Sequence, residues 1–171
     1  MEIFIIGLII VAVMVWASTK IKRTAAQAFD AENIRGDGFT LEKPEGFLNR
    51  VYEKHDMLFD AYSKDFGTDD NVNIRTATAV VYPTDEPINE AASLEQSRLM
   101  NSDRSEMFEL GGSHCIILTG SSERDGHTYN VSEKLLSRGA RTLVLKIEAV
   151  SKPSAELSRK IEQMLLSFNP R

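Results

Sequence analysis

An uninterrupted apolar stretch near the N-terminus constrains this chain more than any other feature. Residues Ile3 to Trp16 read IFIIGLIIVAVMVW and carry no charged or strongly hydrogen-bonding side chain. A helix needs about 20 apolar residues to cross about 30 Å of hydrocarbon. Ile3 to Ala17 reaches about 22 Å, and the residues up to Lys22, with lysine stems that extend along apolar surface, close most of the gap. We therefore predict a transmembrane anchor that contacts the lipid bilayer through Ile3 to Ala17.

Two other interpretations of this stretch compete with the anchor. A cleaved signal peptide has a basic segment before its apolar core, whereas only Met1 and Glu2 precede this one, although Val15-Trp16-Ala17 resembles a cleavage site. A helix from the core of a soluble protein has a polar face, and this stretch is apolar on all sides. Both interpretations fit the residues less well than a retained anchor.

The charges beside the stretch predict its orientation. Lys20, Lys22 and Arg23 all follow it, and Arg35 comes later. Because positive residues stay on the cytoplasmic side of a span, we expect a single-pass protein with a cytoplasmic globular domain. The single Cys115 agrees, since one cysteine forms no internal disulfide.

The chain length and charge constrain the rest of the molecule. We predict an anchor with its basic flank at residues 1–23, a helical stalk at 24–37 and one globular domain at 38–171, a size that suits a single core. Gly36-Asp37-Gly38 is expected to end the stalk. The net charge of −5 and the lack of a second basic cluster predict that the chain binds no nucleic acid.

Alternating apolar residues predict an antiparallel sheet in the globular domain. The predicted strands begin with Phe39 to Lys43, which ends at the turn Pro44-Glu45-Gly46, and Met57 to Ser63. The segment NVNIRTATAVVY places Val72, Ile74, Thr76, Thr78, Val80 and Tyr82 on one side. Later strands are His114 to Thr119, Thr128 to Leu136 with Tyr129, Val131 and Leu135 inward, and RTLVLKIEAV, whose apolar residues on both faces predict an interior strand.

Two helices are predicted beside the sheet, which makes the fold class α+β. The first opens after Pro87 and places Ile88, Ala91, Ala92, Leu99 and Met100 on one face, with Glu90, Glu95 and Arg98 outside. It is interrupted near Asn101-Ser102-Asp103 and extends through MFEL to Gly111-Gly112. The second begins at Pro153 and repeats apolar residues at helical spacing: Leu157, Ile161, Met164, Leu165 and Phe168.

The order of these elements resembles the PsbP-like fold. The resemblance covers about residues 38 to 168 and rests on the strand GFTLEKPEGF, a hairpin at Asp125-Gly126 with Tyr129, and the final KPSAELSRKIEQMLLSF. It implies one antiparallel sheet between helices, an α/β/α sandwich, and docking to larger assemblies. Relatives of this type commonly work on the lumenal or periplasmic side, which is the alternative location for the domain. No functional residue is carried over from the family.

No residues in the sequence form a recognisable catalytic, cofactor or metal site. His114 and Cys115 are neighbours on a predicted strand and point to opposite faces, so Cys115 is expected to be a small core residue. His55 and His127 lie in polar connections and have no zinc-site spacing. Asp69-Asp70-Asn71 lacks the spacing of a calcium loop, and Ser121-Ser122 is expected to be a loop.

Three functions are compatible with this organisation. We expect a non-catalytic accessory or assembly subunit whose head docks on a membrane complex, photosynthetic or respiratory, because the chain combines one anchor with one head that lacks a site. Gly7 would allow another helix to approach the anchor. The alternative is a membrane-tethered module that binds a small ligand or lipid in a cleft between sheet and helix. An enzyme needs a convergent polar cluster, which the sequence does not predict.

Overall fold

The fold of the chain is described by a computed structural model. It describes residues 2–50, 57–63, 76–124 and 126–171, without the side chains of residues 2–8 and 25. The predicted loop at Asp69-Asp70-Asn71 and the side chain of His55 lie outside the described residues.

Three helices and eleven strands make up the described chain. The helices are α1 (Glu2–Gln27), α2 (Ile88–Ser97) and α3 (Ala155–Ser167). The strands are β1 (Glu32–Gly36), β2 (Phe39–Lys43), β3 (Phe47–Asn49), β4 (Phe59–Ser63), β5 (Ala77–Thr84), β6 (Met100–Arg104), β7 (Phe108–Leu110), β8 (Ser113–Arg124), β9 (His127–Arg138), β10 (Arg141–Val150) and β11 (Asn169–Pro170).

The strands form two sheets, whereas the sequence predicted one. The larger has the order β3-β4-β5-β10-β9-β8-β6, with β7 also paired to β8, and the smaller has the order β1-β2-β11. All pairs are antiparallel. The hairpin predicted near Asp125-Gly126 is confirmed by the pairing of β8 with β9 up to Arg124 and His127.

Helix α3 and the smaller sheet cover one face of the larger sheet, which we call the α3 face. Its core is apolar, and Phe39 of β2 contacts Phe168 at the end of α3 with ring centroids 5.5 Å apart. The predicted apolar face of α3 is confirmed: Leu157, Met164 and Phe168 are buried, and Ile161 and Leu165 pack against the core. The helix begins at Ala155 and not at the predicted Pro153, and Ser154 caps it, because the Ser154 side chain accepts a hydrogen bond from the Leu157 amide.

Helix α2 covers part of the opposite face, which we call the α2 face. Ile88, Ala91 and Ala92 pack there on a second apolar cluster that is contributed by the strands: Ile116, Leu118, Leu135 and Val144. Since β10 places Leu145 and Ile147 on the α3 face and Val144 on the α2 face, the predicted interior strand with apolar residues on both sides is confirmed.

The helical stalk predicted for residues 24–37 is wrong beyond its first turn. Helix α1 ends at Gln27, and Glu32–Gly36 pairs with β2 in full antiparallel register. The helix-forming composition of this segment is a weak preference, which the pairing with β2 overrides. Residues 32–36 therefore belong to the globular fold.

Two further predictions are corrected by the structure, and a third is confirmed where it is described. The predicted helix through MFEL is absent, since Met100–Arg104 and Phe108–Leu110 are strands paired with β8, and Met100 is exposed. Thr78, Val80 and Tyr82 share one side of β5 as predicted, while Ala77, Ala79 and Val81 are buried on the other side. Val72 and Ile74 lie outside the described residues. Ser121 and Ser122, expected in a loop, lie within β8.

Candidate functional site

From Ile9 onward, the described large apolar side chains of α1 face solvent. Its described large apolar residues expose between 54% and 69% of their surface: Ile9, Ile10, Val11, Val13, Met14, Val15, Trp16 and Ile21. Soluble proteins rarely expose a continuous apolar patch of this extent, and such patches mark contacts with partners or membranes. Helix α1 is therefore a candidate attachment site.

The C-terminal half of α1 changes from apolar to basic within one turn. The Lys20 ammonium lies 5.1 Å from the centre of the Trp16 ring, a cation–π contact. The Thr19 hydroxyl donates to the Val15 carbonyl at 2.8 Å, and the Thr24 hydroxyl donates to the Lys20 carbonyl at 3.1 Å. Tryptophan and lysine at the end of an apolar helix are typical of a membrane interface, and the two hydroxyls are satisfied within the helix.

A buried lysine connects the end of α1 to the head. The Lys43 side chain lies at the end of β2, and its ammonium donates to the carbonyls of Ala28 at 3.1 Å and Phe47 at 3.0 Å. It also lies 3.8 Å from the Glu32 carboxylate. Because Lys43 is 1% exposed, these contacts replace water around its charge. We call this contact, formed by Lys43 with the backbone on either side, the joint.

A tight turn completes the joint from the other side. Gly46 has φ +92°, a conformation that favours glycine, and its amide donates to the Phe29 carbonyl at 2.8 Å. The Asn49 side chain donates to Glu32 at 3.2 Å. The backbone is thereby bonded to the head within two residues of the end of α1.

Among the residues whose side chains are described, none of the helices is both long and apolar enough to cross a membrane. The predicted span from Ile3 to Ala17 is not supported by this finding. Its first six residues, 3–8, have side chains outside the described set. The transmembrane anchor stays a prediction.

The structure places the chemically reactive residues considered in the sequence apart from one another. Cys115 is fully buried in the α3 core, as predicted, and burial raises the pKa of its thiol, whereas His114 is exposed. His127 is half-buried at the β8–β9 hairpin, and the Ser121 hydroxyl donates to the Met100 carbonyl. Within the described ranges, no group of three or more His, Cys, Asp or Glu side chains is arranged to hold a metal ion.

Two buried carboxylates lie at the contact between α2 and the sheet, and the sequence did not predict them as a site. Glu133 of β9 is 0% exposed and Glu95 of α2 is 4% exposed. The prediction that Glu95 lies on the outer side of the helix is wrong. Among the described residues, neither oxygen of Glu133 has a hydrogen-bond partner, and one oxygen of Glu95 also lacks one. We call Glu95 and Glu133 the carboxylate pair.

Charged neighbours only partly neutralise the carboxylate pair. The Lys146 ammonium lies 3.3 Å from Glu133, and the Arg98 guanidinium donates to Glu95 at 2.6 Å. Burial raises the pKa of Glu133 to about 7, Lys146 opposes this shift and Glu95 adds to it. Burial and the nearby Glu95 also raise the pKa of the Tyr82 hydroxyl. The arrangement disfavours two negative charges and favours one retained proton.

The sequence contained a signal that Glu133 lies on a buried face of its strand. Tyr129, Val131 and Leu135 were predicted to point inward, and Glu133 has the same parity in the strand, so it had to share their face. Glu95 carried no comparable signal, because a glutamate on a helix is usually exposed.

Two small cavities flank α3. One of about 250 Å³ lies beside the joint and is lined in part by Phe29, Gly46 and Lys160. The other, of about 260 Å³, lies between α3 and strands β9 and β10, beside Ile147, Ile161 and Leu165. Pockets for small molecules are about 300 to 1,000 Å³, so neither of these two cavities favours the ligand-binding alternative. A larger depression of about 510 Å³ lies on α3 beside Gln163 and Leu166, but it is wide open to solvent.

Comparison with solved structures identifies the fold as PsbP-like. LpqN of Mycobacterium tuberculosis, involved in cell envelope biogenesis, is 16% identical with a TM-score of 0.58 over 82% of this chain and 90% of its own. Cyanobacterial PsbP (CyanoP) of Synechocystis sp. PCC 6803 is 8% identical with a TM-score of 0.57 over 84% of this chain and 94% of its own.

A protein of Bacteroides thetaiotaomicron VPI-5482 is 12% identical with a TM-score of 0.52, over 84% of this chain and 49% of its own. No protein-family model matches the sequence, and no curated protein sequence matches it. At these identities the likeness concerns the fold, and the predicted PsbP-like resemblance is confirmed at that level.

Proposed function

We propose that this chain is a non-catalytic accessory or assembly protein, attached to a membrane through α1, whose head docks on a larger membrane complex. The observation that carries the proposal is the exposed apolar surface of α1, joined to the head through the buried Lys43. An apolar helix of this kind is stable when lipid or another apolar helix covers it.

The joint supports a tethering role for α1. The bonds of Lys43 and Gly46 reach the backbone of Ala28 and Phe29 directly after α1, so no long free linker separates the helix from the head. A short connection limits the orientations of the head at the membrane, which reduces the entropy lost on docking.

Relatives with the same fold support an accessory or binding role rather than a particular partner. LpqN is involved in cell envelope biogenesis, and CyanoP is a cyanobacterial PsbP. In keeping with the basic residues that come after the apolar stretch, Lys20, Lys22 and Arg23, we place the head on the cytoplasmic side. A lumenal or periplasmic head is the alternative.

Isolation of the full chain from its own membranes tests this function. A tag after Arg171 is used to follow the protein in membranes solubilised with mild detergent and separated on a native gel. We expect a band much larger than 19.1 kDa that contains a defined set of other subunits in fixed ratio. Tagging one of those subunits must recover this chain in return. A band that contains this chain alone would contradict the docking role.

A further inference from the structure

The carboxylate pair lies at the contact that holds α2 to the sheet. Glu133 is paired across the strands with Leu118 and with Lys146, so it sits between the apolar cluster and the charged part of the α2 face. Glu95 lies on the buried side of α2, beside Ala91 and Ala92. A charge on either carboxylate is therefore buried in the same interface that keeps the helix in place.

The groups around the pair come from the end of α2 and from strands β5, β8 and β10. Arg98, directly after α2, donates to one oxygen of Glu95, and strand β8 contributes the apolar Leu118. The remaining groups that face the pair are on β5 and β10: Tyr82, Lys146 and Glu148. Lys146 is shared, because it lies 3.3 Å from Glu133 and 3.6 Å from Glu148. Glu148 is also paired with Arg124 of β8 at 3.2 Å, and Arg98 is paired with Glu95. In the described ion pairs, Glu133 therefore has the shared Lys146 as its cation.

We propose that Glu133, buried beside Glu95, binds a proton whose presence sets how firmly α2 is held on the sheet. With one proton bound, the pair carries a single negative charge, which the neighbouring cations balance. When the proton leaves, a second buried charge remains without a hydrogen-bond partner, and its burial costs free energy. Opening of α2 exposes the carboxylates to water and removes this cost.

The raised pKa of Glu133 determines whether the attachment of α2 weakens or strengthens with rising pH. Its pKa in the folded protein is raised to about 7 from the ordinary 4.5, so the folded state binds a proton more tightly than the open state. The stabilisation of the closed α2 is complete below about pH 4.5 and is lost as the pH rises through 7. Neutral to mildly alkaline pH therefore loosens the helix.

The apolar contacts of α2 bury little surface, so the cost of a second buried charge is large enough to weaken the attachment of the helix. The buried apolar residues of the ten-residue helix are Ile88, Ala91 and Ala92, and alanine contributes little buried area. When α2 opens, the strand residues beneath it become accessible: Ile116, Leu118, Leu135 and Val144. The proton thus controls access to an apolar strip on the sheet.

Amide hydrogen exchange of the full chain in detergent micelles at pH 5.5 and pH 8.0 tests the proposal. After correction for intrinsic exchange rates, we expect protection of the α2 amides to fall on the order of tenfold or more at the higher pH, relative to amides of β9 and β10. In Glu133→Gln, which cannot ionise, α2 protection should be equal at both pH values.

Glu90→Gln is the matched control, because Glu90 lies on the same helix and is exposed. It should show the pH dependence of the unmodified protein. A carbon-13 titration of the Glu133 carboxyl in the unmodified chain gives an answer that does not depend on how any variant folds. Titration near 4.5, or equal pH dependence of α2 in Glu133→Gln and the unmodified protein, would overturn the proposal.

Discussion

The two faces of the large sheet are covered by helices of similar appearance, but the covered surfaces differ. The α3 face is filled by large apolar side chains, among them Phe39, Phe47 and Phe168, all 0% exposed. The α2 face is covered by a ten-residue helix through one isoleucine and two alanines, with two buried carboxylates at the same contact. The α3 face therefore stabilises the fold, whereas the contact of α2 with the sheet is the one that a change of pH weakens.

The two faces also differ in how their buried charges are satisfied. On the α3 side, Lys134 is buried and its ammonium donates to the Leu165 carbonyl, while Lys43 donates to two carbonyls. On the α2 side, Glu133 has a nearby cation but no hydrogen bond among the described residues. A buried charge with partners is tolerated, whereas one without them is held at a cost that depends on pH.

The largest loss of unfolding free energy is expected for a substitution on the α3 face. Phe168→Ala removes a ring that packs on Phe39, and we expect it to lower the free energy of unfolding by about 3 to 5 kcal/mol, as large-to-small changes in full cores do. Urea unfolding in mild detergent measures this. Leu166→Ala on the same helix, at a residue 69% exposed, should change it by less than about 0.5 kcal/mol. Equal effects of the two substitutions would refute the described packing of α3.

A smaller loss of unfolding free energy is expected for a substitution on the α2 face. Ile88→Ala removes the largest apolar contact of α2, and we expect a loss of about 2 kcal/mol, at the lower end for such a substitution because Ile88 remains 9% exposed. Hydrogen exchange should show loss of protection concentrated in α2, while β10 keeps its protection at low denaturant. If β10 loses protection to the same extent, the two faces do not differ as described.

The smallest effect, and the most specific, should be the pH dependence. Because the pKa of Glu133 is raised to about 7, urea midpoints of the unmodified protein should fall between pH 6 and pH 8. Glu133→Gln should remove the part of this fall that comes from Glu133, and it should be the more stable protein at pH 8. A midpoint for Glu133→Gln that falls as steeply as that of the unmodified chain would contradict this origin.

The sequence predicted the elements that are defined by strong periodicity. Helix α3 repeats its apolar residues over four turns and β10 alternates over ten residues, so both were recognised. Strand β1 was missed because its residues come after a helix-forming segment, and its pairing with β2 is set by tertiary structure. Strands β6 and β7 were predicted as helix because short exposed segments carry little periodicity.

The candidate sites were predictable to different extents. The apolar character of α1 is evident from the sequence of residues 3–16 alone. The joint was not predictable from the sequence, because Lys43 becomes buried only when the backbone of Ala28 and Phe47 lies against it. The carboxylate pair depends on how α2 sits over β9, and only the parity of Glu133 in its strand pointed to it.

Membrane attachment through α1 is the central claim, and one substitution tests it most directly. Val13→Arg places a charge within the exposed apolar surface of α1, which costs about 2.5 to 3.5 kcal/mol at the centre of a membrane helix. We would express both proteins in the native host, wash the membranes at high salt and at alkaline pH, and compare the fractions that sediment with the membranes.

Leu166→Arg is the matched control, since Leu166 is a similarly exposed apolar residue in the head. We predict that the unmodified chain and Leu166→Arg remain with the washed membranes, whereas Val13→Arg is released or accumulates at a much lower level. Release of the unmodified chain by the same washes, or full retention of Val13→Arg, would contradict attachment through α1.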